Sequence, residues 1–194
     1  MSDEAKAPKS RINAGCGVHT VDDPLWENCD KFPAVAGVRQ VDFEQTPWPW
    51  ADNSIDAILF NHSLEHMGQQ PAVFLAMMQE IYRVCRHDAR ILVNAPHPRH
   101  DEFIGDPTHV RIVTADMFVL FSKKANQAFR DQNGANSCFA FQLGVDFEVV
   151  KNELVLDDRF KYLQDDPSWT RVALTQNNVI KETRLEIRVV KDAQ

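Results

Sequence analysis

Residues 55–95 read IDAILFNHSLEHMGQQPAVFLAMMQEIYRVCRHDARILVNA, and their patterning sets the architecture. IDAILF (Ile55–Phe60) follows the turn-forming ADNS and is a nearly continuous apolar run, typical of a strand buried on both faces of a parallel sheet. Between 71 and 86 the apolar residues Val73, Phe74, Met77, Met78, Ile81, Tyr82 and Cys85 recur at three- and four-residue spacing, which predicts an amphipathic helix. Pro71 suits its first turn. ARILVNA (Ala89–Ala95) is the next strand, closed by Pro96 and Pro98, which remove backbone donors. Strand, helix and strand form a parallel crossover, so the chain belongs to the α/β class.

Upstream of this unit, RINA stops at Gly15 and Gly17 as a strand entering a tight turn would. Leu25–Asp30 and Gly37–Phe43 are two further strand candidates, each ending near an aspartate. Downstream, 97–114 has little periodicity and reads as an ordered loop or lid. A helix is expected from Ala115 to about Arg130, then a turn at NGANS (133–137). Phe147–Leu156 and Leu185–Val190 are strand candidates separated by a polar stretch around 157–170, whose acidic residues at 157–166 read as a solvated edge. The expected fold is a mostly parallel sheet of about seven strands with helices on both faces, ending in an antiparallel pair from the tail.

Length and composition fit this reading: 194 residues, 44% hydrophobic and 25% charged, suffice for one core. Residues 1–9 are polar and read as a disordered lead-in, leaving 10–194 as a single domain. A formal charge of −7 argues against gripping a phosphate backbone, whose binding draws on lysine and arginine, so nucleic acid is not expected as a partner. No apolar run approaches the roughly 20 residues needed to span a bilayer, and no secretory leader is visible. The expected setting is the cytoplasm, away from membranes. Cys16, Cys29, Cys85 and Cys138 are scattered without a CxxC pair and read as reduced thiols, with neither disulfide nor bound metal expected.

In parallel α/β sheets, ligands sit beyond the carboxyl ends of the strands. The unusual residues of this chain fall there: Gly15 and Gly17 after the first strand, Asp30 after the second, Asp42 after the third, Asn61 and His62 after the fourth, His97 after the fifth. Glycines let backbone amides approach a ligand, and a carboxylate after the next strand can accept both hydrogens of a ribose diol. That combination suits a nucleoside. GCGVHT has His19 where a dinucleotide fingerprint wants its closing glycine, and no GKS or GKT is present, so dinucleotide and Walker-type phosphate sites are disfavoured.

From Arg11 to about Phe118 the chain resembles class I S-adenosylmethionine-dependent methyltransferases of the small type 11-like group. The resemblance is carried by RINAGCG, VDFEQTPWPWADNSIDAILFNHSLEHM, EIYRVCRHDARILVNAPHP and GDPTHVRIVTADMF. It implies a Rossmann-like methyltransferase fold and S-adenosyl-L-methionine as cofactor. Gly15, Cys16 and Gly17 would line its methionine part, Asp30 would hold the ribose, and Asp42 with the amide of Phe43 would meet the adenine. Asn61 and His62 would border the cofactor on its other side. The short link between Gly17 and Trp26 implies that the first crossover helix is shortened or lost, which leaves open whether Asp30 or Asp42 takes the ribose. At HDAR (87–90) the group commonly has a glycine pair, and Asp88 tolerates the same turn.

His97, Asp106 and His109 stand where a methyl acceptor would lie. A histidine with an unperturbed pKa of about 6.5 suits proton removal, although methyl transfer can be driven by alignment alone. The acceptor is expected to be a small molecule or a sugar-containing metabolite; its reacting atom and the oligomeric state are not readable. Two rivals remain: a catalytically silent cofactor-binding module acting through a partner, and a zinc hydrolase. HSLEH (62–66) matches the HxxEH pattern of inverted zinc peptidases, but that chemistry needs a continuous helix and a third downstream ligand. Here a strand end precedes the motif and Pro71 follows it.

Overall fold

The structure is a computed structural model describing residues 10–192; the proposed lead-in at 1–9 lies outside them. Seven strands form one sheet: β1 (Arg11–Ala14), β2 (Trp26–Asp30), β3 (Arg39–Gln40), β4 (Ile55–Asn61), β5 (Cys85–Pro96), β6 (Phe147–Leu156) and β7 (Ile180–Val189). Their order is β3-β2-β1-β4-β5-β7-β6. The first five run parallel, and β7 is antiparallel to both β5 and β6. This is the Rossmann-like sheet with an antiparallel end that the sequence implies.

Alternation along the strands separates two faces. Ile12, Ala14, Ile58, Phe60, Ile91, Val93, Leu185 and Ile187 are all buried and share one core with Phe74, Met77, Met78 and Ile81 of α1 (Pro71–Val84). That core continues into Phe118, Phe121 and Phe147. The opposite face of the antiparallel end is charged. Arg188 lies across from Glu148 and bonds it, Arg184 faces Glu153 at 3.8 Å, and Arg90 reaches Glu186 at 3.4 Å. Cross-strand pairs of opposite charge support such a face, and the glutamates separate Arg90 from Arg188, which stand opposite each other on β5 and β7.

Where the group commonly places its first crossover helix, β1 and β2 are joined by residues 15–25 without one. The side chains of Asn13 and Asn28 hold this link down. Asn13 Nδ2 donates to His19 O and to Asn28 Oδ1, both at 2.9 Å; Asn28 Oδ1 accepts from Val21 N at 2.8 Å and its amide donates to Val21 O at 3.0 Å. Asn13 is 1% exposed, so its amide is tolerated only because these partners replace water.

Several elements differ from their sequence-based bounds. The expected strand Gly37–Phe43 shrinks to Arg39–Gln40 because Asp42 turns the chain away, its Oδ1 accepting from Glu44 N at 3.0 Å; Val41 and Phe43 stay buried. α1 ends at Val84 and passes directly into β5 at Cys85, with residues 86–89 bulging out and Asp88 at φ 63°. The single helix expected from Ala115 is two, α3 (Ala115–Val119) and α4 (Lys123–Asp131), because Ser122 caps the second by accepting from Ala125 N. Between them Phe121 is buried alongside Phe118. β7 begins at Ile180, not Leu185, since Glu182 and Thr183 are buried polar residues that hide the strand pattern. The 97–114 loop contains α2 (Asp101–Ile104), and α5 (Phe139–Leu143) precedes β6. The polar stretch folds into a 3₁₀ turn (Asp158–Leu163) and α6 (Trp169–Thr175), burying Leu156, Leu163, Ala173, Val179 and Ile180 as a satellite cluster, while Asp158, Asp165 and Asp166 stay exposed.

Replacing Asn28 by Ala strips the link 15–25 of its side-chain clamp. Urea denaturation is expected to show a loss of about 1–3 kcal/mol; a change within about 0.5 kcal/mol, as for ordinary surface positions, would mean that the amide does not secure the link.

Candidate functional site

A cavity of about 350 Å³ opens at the carboxyl ends of the parallel strands, lined by Gly15, Asp30, Asp42, Phe43, His62 and Met67 among others. Its size and position are those of a ligand pocket in an α/β sheet. Asp30 is fixed by two backbone amides: Gly17 N donates to Oδ2 and Phe32 N to Oδ1, each at 2.8 Å. A carboxylate oxygen accepts more than one hydrogen bond, so Asp30 retains acceptor capacity toward the cavity.

At the other end stands Asp42. Lys31 Nζ lies 3.0 Å from Asp42 Oδ2 and 3.4 Å from Glu44 Oε2; the hydrogen bond to Asp42 raises the lysine pKa. Glu44 reaches on to Gly68 N at 2.9 Å, tying the wall after β3 to the segment before α1. Over the whole cavity Asp30, Asp42 and Glu44 outnumber Lys31, so its lining carries more carboxylate than lysine. Beneath it, Phe43 lies edge-on to Trp48 with ring centroids 5.0 Å apart and stacks on Trp50 at 6.0 Å. Trp48 is buried and donates Nε1–H to Phe43 O at 3.0 Å, so TPWPW packs under the cavity wall.

The floor is made where β1 and β4 end. Gly15 has φ 67°, and a Cβ on it would come 2.6 Å from Ser63 Cβ and 3.0 Å from Met67 Cε. Ser63 Oγ donates to Ala14 O at 2.7 Å. His62 occupies φ 51°, uncommon for a residue with a side chain, and its Nε2 lies 2.8 Å from Glu182 Oε2. The following 3₁₀ turn covers only Leu64–His66. HSLEH therefore lacks the continuous helix of the zinc peptidases, and His62 is engaged with Glu182. Leu64 packs inward; Glu65 is 1% exposed, and neither of its carboxylate oxygens has a hydrogen-bond partner. Burial raises its pKa.

Residues 13–93 match the family model described as a methyltransferase domain. The match spans less than half of the 194-residue chain. No curated protein matches the chain. Its fold is similar to a SAM dependent methyltransferase from Archaeoglobus fulgidus (15% identity, TM-score 0.57, covering 95% of this chain and 87% of that one). It is also similar to the YcgJ protein from Bacillus subtilis (15% identity, TM-score 0.54, 98% and 95%) and to the [4+2]-cyclase SpnF (16% identity, TM-score 0.50, 94% and 75%). At such identities the likeness is one of fold.

Of the residues expected to line a cofactor, Gly15, Asp30, Asp42, Phe43 and His62 come together at the cavity, whereas Cys16, Gly17 and Asn61 are not among its lining residues. Cys16 is buried with its thiol 3.6 Å from Gly17 O, Gly17 supplies its amide to Asp30, and Asn61 accepts from Asn94 Nδ2 at 2.9 Å. The three acceptor-side candidates separate. His97 is away from the cavity lining, its amide donating to Lys181 O and its ring accepting from Arg99 N at 3.3 Å; burial, then Arg99 and His100, lower its pKa. His109 and Asp106 are neighbours, Nε2 to Oδ2 at 3.7 Å, and the His109 ring lies 4.6 Å from that of His66, which lines the cavity. Sequence reasoning missed Lys31, Ser63 and Met67, and considered His66 only within the HxxEH pattern. The available signal was adjacency: each directly follows, or stands within a few residues of, a position that was singled out.

The two glycines should separate on substitution. Gly17→Ala meets open space and carries only the cost of φ 52°, about 1–2 kcal/mol. Gly15→Ala adds the collision with Ser63 and should cost about 2–5 kcal/mol in denaturant melts. Equal, small losses would show that the β1 and β4 turns are not in close contact.

Proposed function

We propose that the domain binds S-adenosyl-L-methionine in this cavity and transfers its methyl group to a small-molecule acceptor. The observation that carries the reading is the placement of Asp30 and Asp42 on one cavity whose floor is Gly15, within the stretch that matches a methyltransferase domain. Asp30, held by the Gly17 and Phe32 amides, would take the ribose hydroxyls. Asp42 and Phe43, which follow the β3 edge, would take the adenine. The methionine end would then run past Gly15 toward His62. Excess carboxylate over lysine suits a ligand bearing a sulfonium and an ammonium, and opposes a pyrophosphate.

In the reaction the S–CH₃ bond breaks as the bond from acceptor to carbon forms, S-adenosylhomocysteine leaves, and an acceptor proton is released. Holding nucleophile, methyl carbon and sulfur in line supplies much of the acceleration. Acceptor recognition falls to the side of His62, His66, His109 and Asp106; His97 acts on the loop, not on the methyl group. No helix among the described residues is long and apolar enough to cross a membrane, and the scattered cysteines fit a reducing compartment, so we assign the enzyme to the cytoplasm.

Calorimetric titration with S-adenosylhomocysteine, S-adenosylmethionine and NAD is expected to give binding of the first two and none of the third. Asp30→Ala should weaken S-adenosylhomocysteine roughly ten-fold or more, as loss of hydrogen bonds to a charged acceptor does, and Asp42→Ala should weaken it as well. Folded protein that binds neither sulfur nucleoside at millimolar concentration would overturn the proposal.

A further inference from the structure

Glu65, His66 and His109 each offer a ligating atom within 4.8 Å of the other two, the one such cluster found among the described residues. The fold brings them together by a backbone clasp: Val110 N and Arg111 N both donate to Glu65 O, at 2.8 and 2.9 Å. His109 thereby arrives beside a motif far upstream in sequence.

The state of each side chain fits coordination. Glu65 is 1% exposed with both carboxylate oxygens lacking hydrogen-bond partners. A carboxylate so placed is costly unless a cation or donors compensate it; His62 Nδ1, at 3.7 Å from Oε1, is beyond hydrogen-bonding distance. His109 Nδ1 lies 3.0 Å from Phe103 O. A carbonyl only accepts, so Nδ1 carries the proton and Nε2 the lone pair. His66 Nδ1 lies 2.9 Å from Thr108 Oγ1, and that hydroxyl already donates to Asp106 Oδ1 at 2.6 Å. His66 Nδ1 must therefore donate, again leaving Nε2 as the lone-pair atom. A ring N–H spent on a carbonyl or hydroxyl, with the other nitrogen free, is how proteins orient metal-binding histidines.

We infer that Glu65, His66 and His109 form a binding site for a divalent first-row cation at the edge of the cofactor cavity. Two imidazoles and one carboxylate suit zinc, iron(II), manganese or cobalt better than magnesium or calcium, and three protein ligands leave coordination positions open. Because His66 also lines the cavity, an open position would face the acceptor side, where it would take an oxygen of a hydroxyl-bearing acceptor. That consequence rests on the methyl-transfer reading; the cation site itself does not. If it holds, His66 and His109 work through the cation and not as proton acceptors.

The test uses the full chain, stripped with EDTA and titrated calorimetrically with zinc chloride, with cobalt(II) absorption as a second probe. One equivalent should bind at micromolar or lower Kd. Glu65→Gln, His66→Ala and His109→Ala should each weaken it ten-fold or more, while His87→Ala, exposed and distant in the fold, should leave it unchanged. Zinc should raise the melting temperature of the native chain but not of Glu65→Gln, which separates a ligand from a residue that merely packs. His66 is exposed, so its variant tests the site even if Glu65→Gln misfolds. Folded protein that binds no cation, or binds it equally well in all three variants, would overturn the inference. Titrating S-adenosylhomocysteine without metal reads the cofactor assignment separately, so either can fail alone.

Discussion

Ser63 Oγ donates to the carbonyl of Ala14 at 2.7 Å, and Ser63 Cβ occupies the space that a side chain at residue 15 would need. This contact sets how closely the ends of β1 and β4 approach. With those ends together, the amide of Gly17 faces Asp30, and His62 is turned into its positive-φ conformation with its ring toward Glu182. The cavity is the space left when two strand ends meet through a glycine and a serine instead of two larger residues. A strained residue such as His62 persists because its surroundings over-determine it, here through its amide to Asn94 O and its ring to Glu182.

The first crossover leaves β1 and β2 joined without a helix, and polar groups take up its role there. At β1 and β2 the amides of buried Asn13 and half-buried Asn28 hold an irregular link onto the sheet, satisfying backbone groups that a helix would have satisfied internally. At β5, β7 and β6 the outward face carries arginine–glutamate pairs instead of apolar residues. Both devices substitute polar satisfaction for packing. The apolar core therefore lies against α1 and the α3 region, and the ligand cavity stays at the strand ends.

Much of this was legible in the sequence. RINA and Phe147–Leu156 were bounded as observed, because their patterns end at glycines, prolines or polar turns. The reading failed where tertiary contacts override pattern. Asp42 ended β3 early by an Asx turn; Ser122 split the helix expected from Ala115; Glu182 and Thr183 concealed half of β7 because both are polar yet buried, Glu182 through its contacts with His62 and Arg184. The cofactor side was readable because its residues follow strands in order. The acceptor side was not. His97 follows a strand equally well yet faces the C-terminal segment, and of the loop histidines His100 is buried in bonds to Asp157 and to the amide of Glu102. Only His109 meets HSLEH, through a backbone clasp on Glu65 that no local pattern announces.

The central claim is that one nucleoside lies across Asp30 and Asp42 with its sulfur end beside Gly15 and His62. A crystal structure of the chain with S-adenosylhomocysteine tests it most directly. The account predicts ribose hydroxyls at hydrogen-bond distance from the Asp30 carboxylate, about 2.6–3.2 Å, adenine against Phe43 and Asp42, and the thioether sulfur on the His62 side of Gly15. A ribose held by Asp42, or a nucleoside bound outside this cavity, would contradict it.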